Sequence, residues 1–119
     1  MPETDQMSRA NLIADAALDR KGLSLVALDV SEVTSVADTF VLVTGTSDRH
    51  ARAITDAIVG ALRERGEKPL GVEGYDEGRW VLIDLGDVVV HVFQEDVRAE
   101  YDLERLWSDA PTLAIGAAA

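Results

Sequence analysis

"WVLIDLGDVVVHVF", residues 80–93, decides how this chain folds. Two runs of strand-forming residues flank Gly86-Asp87, a dipeptide suited to a two-residue hairpin turn. With those two residues as the turn, Leu85 faces Val88, Asp84 faces Val89, Ile83 faces Val90, Leu82 faces His91, Val81 faces Val92 and Trp80 faces Phe93. Side chains alternate across a strand, so the hairpin has two unlike faces. Val81, Ile83, Leu85, Val88, Val90 and Val92 make one that is wholly aliphatic and reads as core. Trp80, Leu82, Asp84, Val89, His91 and Phe93 make the other, which mixes aromatic and ionisable groups and carries the functional question.

The elements around the hairpin follow from spacing. Thr46 or Ser47 caps a helix in which Ala51, Ile54, Ala57, Ile58, Ala61 and Leu62 recur at helical intervals until Arg63, Arg65 and Gly66 close it. Its apolar stripe suits the aliphatic face of the hairpin. Its outer stripe of Arg49, Arg52, Asp56 and Arg63 reads as a solvated surface. An earlier helix is expected from Ser8 to Lys21, with Gly22 as a left-handed cap. Strands are expected at 23–30 and 39–44, and a short edge strand at Pro69–Val72. A last helix, Leu103–Trp107, has Asp102 as its expected N-cap and is stopped by Pro111. The expected architecture is α+β, a mixed sheet of about five strands with helices mainly on one face. It forms one domain over 1–109, and residues 110–119 are expected to fray.

The mixed face allows two accounts. Leu103, Leu106 and Trp107 can pack on it and leave His91 as an interior histidine. Alternatively, part of it stays open with Trp80 as an aromatic anchor for a partner.

Composition narrows the partners. The 119 residues carry a formal net charge of −11, and no cysteine is available for disulfides or thiolate metal sites. Residues 1–72 hold eleven acids and eight bases, whereas 73–109 hold eleven acids and three bases. Such a charge opposes binding to phosphate backbones, which relies on Lys and Arg displacing counterions. A basic protein is the easier partner, although a solvated acidic surface alone also explains the balance. With no leader-like start and no membrane-length apolar run, a cytoplasmic protein is expected.

Catalysis finds no assembled centre. Asp84 and His91 are diagonal neighbours, about 7–8 Å apart at Cα, and no nucleophile or Gly-x-Ser-x-Gly elbow completes a triad. His50 and His91 are the only histidines, and neither has ligand spacing, so no metal or cofactor is expected. "TGTSDRH" (44–50) sets a glycine turn before a helix but lacks the lysine of a phosphate-binding loop. Nucleotidyl transfer would need paired carboxylates on one side of a strand. Asp84 and Asp87 are three apart, and Asp87 lies in the turn.

"TGTSDRH" (44–50), "PLGVEG" (69–74), Trp80, "DLGDVVVHVFQEDVR" (84–98) and "YDLERLW" (101–107) together resemble the ribosomal silencing factor, or Iojap, family over residues 8–109, in matching order and spacing. The resemblance implies a non-enzymatic translation repressor with a nucleotidyltransferase-like fold lacking the catalytic carboxylates. It implies binding to the large ribosomal subunit through its protein fourteen, which blocks subunit joining and lowers translation when nutrients are scarce. Organellar relatives assist large-subunit assembly, which is the alternative role; a metal-dependent nucleotidyltransferase using Asp84 and Asp87 is a further one. The motif residues include Trp80, Asp84, His91, Glu95, Arg98, Tyr101, Leu103, Glu104 and Trp107, and the match does not divide them between partner contact and packing. The partner-binding candidates are Glu73, Trp80, Asp84, His91, Glu95, Arg98 and Tyr101, with Trp80 as anchor. Leu103, Leu106 and Trp107 are assigned to packing. No direct nucleic-acid or membrane site is expected, and the free protein can form a homodimer through its sheet surface.

Overall fold

A computed structural model describes residues 2–113, with side chains from Met7 onward. Its strands are β1 (Leu23–Asp29), β2 (Thr39–Gly45), β3 (Gly71–Glu73), β4 (Trp80–Asp84), β5 (Val88–Gln94) and β6 (Thr112–Leu113). They form one mixed sheet in the order β3-β4-β5-β2-β1-β6, in which β2 and β5 run parallel and every other pairing is antiparallel. The long helices are α1 (Pro2–Asp19) and α2 (Asp48–Glu64); α3 (Glu95–Tyr101) and α4 (Leu103–Leu106) are short.

The β4–β5 hairpin has the register that its turn implies, with Trp80 opposite Phe93, Leu82 opposite His91 and Asp84 opposite Val89. Gly86 supplies the positive φ of 90°. The Asp84 carboxylate accepts from the Gly86 amide at 2.8 Å, pinning the turn from inside. The aliphatic face is the core. Val81, Ile83, Val88, Val90 and Val92 pack with Val41 and Val43 beneath Ile54, Ile58 and Leu62 of α2, and with Ala10, Ile13, Ala14 and Ala17 of α1. Each fully buried aliphatic side chain contributes about 1.5–3 kcal/mol relative to exposure, so this face dominates stability.

The ends of α2 match its sequence signals. Ser47 is the N-cap, its hydroxyl accepting from the His50 amide at 3.0 Å. At the other end Gly66, with φ 81°, reverses the chain while the Glu67 amide donates to the Leu62 carbonyl.

Several boundaries differ from expectation, each for a local reason. Helix α1 starts at Pro2 rather than Ser8, because proline is tolerated in the first turn of a helix. The left-handed position after it is Lys21, with φ 62°, not Gly22. Gly22 is needed for proximity instead: an added Cβ would lie 2.6 Å from Val43 Cγ2. The edge strand is Gly71–Glu73 rather than Pro69–Val72, since Pro69 has no amide to pair. Asp102 makes no side-chain cap; it turns left-handed (φ 47°) and joins α3 to α4 through its backbone. The segment 95–101 is a helix that the sequence reading did not include. Six strands replace the expected five because Thr112 and Leu113, in the segment expected to fray, pair with β1. Ala110 is buried as well, and residues 114–119 of that tail lie outside the described residues.

Candidate functional site

The second face of the sheet is covered only in part. Over β1, β2 and β5, a cluster of Leu28, Phe40, Leu42, Val89 and Phe93 is closed by Val97 of α3, by Ala110, and by the half-buried Leu103 and Trp107. Toward the β3–β4 edge that cover ends. Trp80, Leu82 and Asp84 are half-buried, Glu73 is exposed opposite Leu82, and Tyr101 at the end of α3 is 55% exposed.

At the boundary between covered and open regions stands an aromatic stack. The Tyr101 ring lies 4.8 Å from that of Trp80, which in turn lies 5.8 Å from Phe93. The Trp80 indole Nε1–H donates to His91 Nδ1 at 3.1 Å. His91 is only 6% exposed, with Phe40 edge-on to it at 5.1 Å. Burial disfavours the imidazolium and lowers the His91 pKa to about 4. The ring is therefore neutral at pH 7, and because Nδ1 accepts, its proton is on Nε2. That Nε2 has no hydrogen-bond partner among the described residues.

Arg98 secures the cover. Its guanidinium donates from Nη1 to the Ser24 carbonyl (2.7 Å) and to Thr44 Oγ1 (2.9 Å), and from Nε to Glu104 Oε1 (3.0 Å). It also lies 5.5 Å from the Phe93 ring centroid. One side chain thus ties α3 to β1, β2 and the start of α4.

The groups weighed for catalysis are otherwise engaged. Asp87 pairs with Arg9, which also meets Glu67 at 3.0 Å on the helix side of the sheet. Asp84 holds the turn amide on the other side. His50 accepts the Thr46 amide at Nδ1 (2.8 Å), and its Nε2 donates to the Arg20 carbonyl (2.7 Å), linking the ends of α1 and α2. Among the described residues no group of three or more His, Asp or Glu side chains could hold a metal ion. Nor is any described helix long and apolar enough to cross a membrane.

A family model described as ribosomal silencing factor during starvation matches residues 3–118. The chain belongs to the ribosomal silencing factor family. It is 45% identical over 107 residues to the ribosomal silencing factor of Bacillus subtilis, covering 90% of this chain and 91% of that one. A crystal structure of a protein from Chromobacterium violaceum superposes with a TM-score of 0.82 at 40% identity, covering 93% of both chains. A more distant relative, named mitochondrial assembly of ribosomal large subunit protein 1, from Mus musculus, is 35% identical over 74 residues, 60% of this chain and 32% of that protein.

Within this member of the family, the partner-binding candidates fall into three groups. Glu73, Trp80, Asp84 and Tyr101 reach the open part of the second face, together with Leu82, which belongs to the same strand alternation but was not singled out. His91 and Arg98 lie beneath the surface, one behind Trp80 and the other under the cover. Glu95 is exposed at the start of α3, beside a shallow groove lined by Leu23, Thr44, Gly45 and Thr46. Of the residues assigned to packing, Leu103 and Trp107 do pack, but Leu106 is 68% exposed. Trp107, edge-on to Phe40 at 5.7 Å, takes the place beside Leu103 instead. The Arg79–Asp96 ion pair (2.8 Å) ties the approach to β4 to α3, a contact that no local sequence pattern marks.

Proposed function

We propose that the protein is a non-enzymatic translation repressor that docks on the large ribosomal subunit through its protein fourteen and blocks subunit joining by bulk. The observation that carries this reading is the Trp80–Tyr101 stack on a half-covered face flanked by Glu73 and Asp84. Centrally placed aromatics dominate binding energy when a partner excludes water from them. The flanking carboxylates and the net charge of −11 favour a basic protein, speed its encounter and repel the neighbouring ribosomal RNA. Family membership and the ribosomal names of the relatives point the same way. The pairing of Asp87 with Arg9, and of Asp84 with the turn, argues against a nucleotidyltransferase.

The test is subunit joining in a purified system, followed by light scattering. The parent protein slows the rise that marks joined ribosomes when pre-incubated with large subunits, and isolated protein fourteen, added in excess, relieves the effect. Joining that proceeds unchanged at saturating protein rejects the repressor role. A second role, in large-subunit assembly, is favoured by the name of the mouse relative. It predicts precursor large subunits in cells depleted of the protein during rapid growth, where a repressor predicts none.

A further inference from the structure

We infer that His91 is a positioning residue for the docking anchor: its unprotonated Nδ1 takes the Trp80 indole N–H and so holds the indole against Tyr101 before any partner arrives. This rests on the docking role proposed for Trp80. Three observations support it.

First, the indole has one polar atom, and it is turned inward onto a buried ring, 3.1 Å from His91 Nδ1. The half-buried Trp80 therefore offers carbon surface outward, which suits an aromatic anchor between acidic neighbours. Second, the site is specific to an acceptor. An apolar residue would pack as well among Phe40, Leu42 and Phe93, but nothing there would receive the indole proton. Third, the fold bears a penalty for this residue. With Nδ1 accepting, the Nε2–H has no partner among the described residues, and a buried unsatisfied donor is destabilising. A residue serving packing alone would be apolar and would carry no such donor.

Holding an anchor in its bound orientation removes the ordering cost from the binding step. The inference is tested with the full-length chain by two readouts: solvent exchange of the Trp80 indole proton by ¹⁵N NMR, assigned with Trp80→Phe, and affinity for purified large subunits. In His91→Phe the indole proton should exchange at least about tenfold faster, binding should weaken roughly three- to tenfold, and the thermal midpoint should not fall. His91→Gln, whose side-chain oxygen can accept the proton, should recover much of both losses. If His91→Phe does not fold, His91→Leu lacks the acceptor equally and gives the same readouts.

A lower midpoint with unchanged affinity in either apolar variant would make His91 structural and overturn the inference, as would unchanged indole exchange. Trp80→Ala separates the two failures. If it abolishes binding while His91→Phe binds like the parent, only the positioning role is lost. If Trp80→Ala itself binds like the parent, the docking reading fails and the positioning role falls with it.

Discussion

The two faces of one sheet meet different demands. On the helix face every strand residue from Val81 to Val92 is aliphatic and closed over by α1 and α2. On the other face the same strands carry Trp80, His91 and Asp84, the cover is two short helices, and it ends before β3 and β4. The first face holds the protein together through aliphatic contacts, with the buried Thr55 hydroxyl donating to the Ala51 carbonyl of its own helix. The second tolerates an imidazole N–H without a partner among the described residues, and half-exposed rings, which stability alone would not select. Under the proposed docking, burial and recognition divide by face and not along the chain, and adjacent residues of a single strand serve opposite purposes.

Substitutions on the two faces should have different consequences. The largest effect on folding is expected from Ile54→Ala, which opens a cavity in the closed face and should cost about 2–5 kcal/mol in chemical denaturation, with subunit binding by the folded fraction unchanged. Next is acidity. His91 has its pKa lowered from 6.5 to about 4, so between those values the unfolded chain takes up a proton that the folded chain refuses. Stability should therefore be intact above pH 6.5 and fall as the pH drops toward 4, by roughly 3 kcal/mol in total. His91→Phe should show a shallower decline, and parallel pH profiles for the two proteins would contradict a neutral buried His91.

Arg98→Ala should cost about 2–3 kcal/mol by releasing charged hydrogen bonds and should raise hydrogen exchange in α3 more than in α2. Arg98→Lys should recover little, because a single ammonium cannot span Ser24, Thr44 and Glu104. Smallest is Leu106→Ala, on an exposed leucine, expected within about 0.5 kcal/mol of the parent. A loss above 1 kcal/mol would return Leu106 to the core.

The legible parts of this fold were those with local, repeated signals. The hairpin register could be read because alternation over Trp80–Phe93 and a Gly-Asp turn agree, and α2 because Ser47, the apolar stripe and Gly66 agree. The alternation also placed Trp80, Asp84 and His91 on one face. It could not say how much of that face is covered, because the cover depends on α3, a seven-residue helix of mostly polar residues with only Val97 and Arg98 buried. The role of Arg98 was equally hidden. Its partners Thr44 and Ser24 are 54 and 74 residues away in sequence, and an arginine among acids reads as surface until those contacts are seen. The strand at Thr112–Leu113 leaves no pattern either, since two residues are too few to alternate.

The central claim is that the open part of the second face, through Trp80, is what meets the ribosome. A sucrose-gradient profile of tagged parent and Trp80→Ala proteins tests it most directly, with circular dichroism confirming that both are folded. The parent should travel with free large subunits and be absent from joined ribosomes, and the variant should stay at the top of the gradient. Truncating such an anchor costs about 2 kcal/mol or more, roughly thirtyfold in affinity. A folded Trp80→Ala protein travelling with large subunits at the parent level would contradict the account.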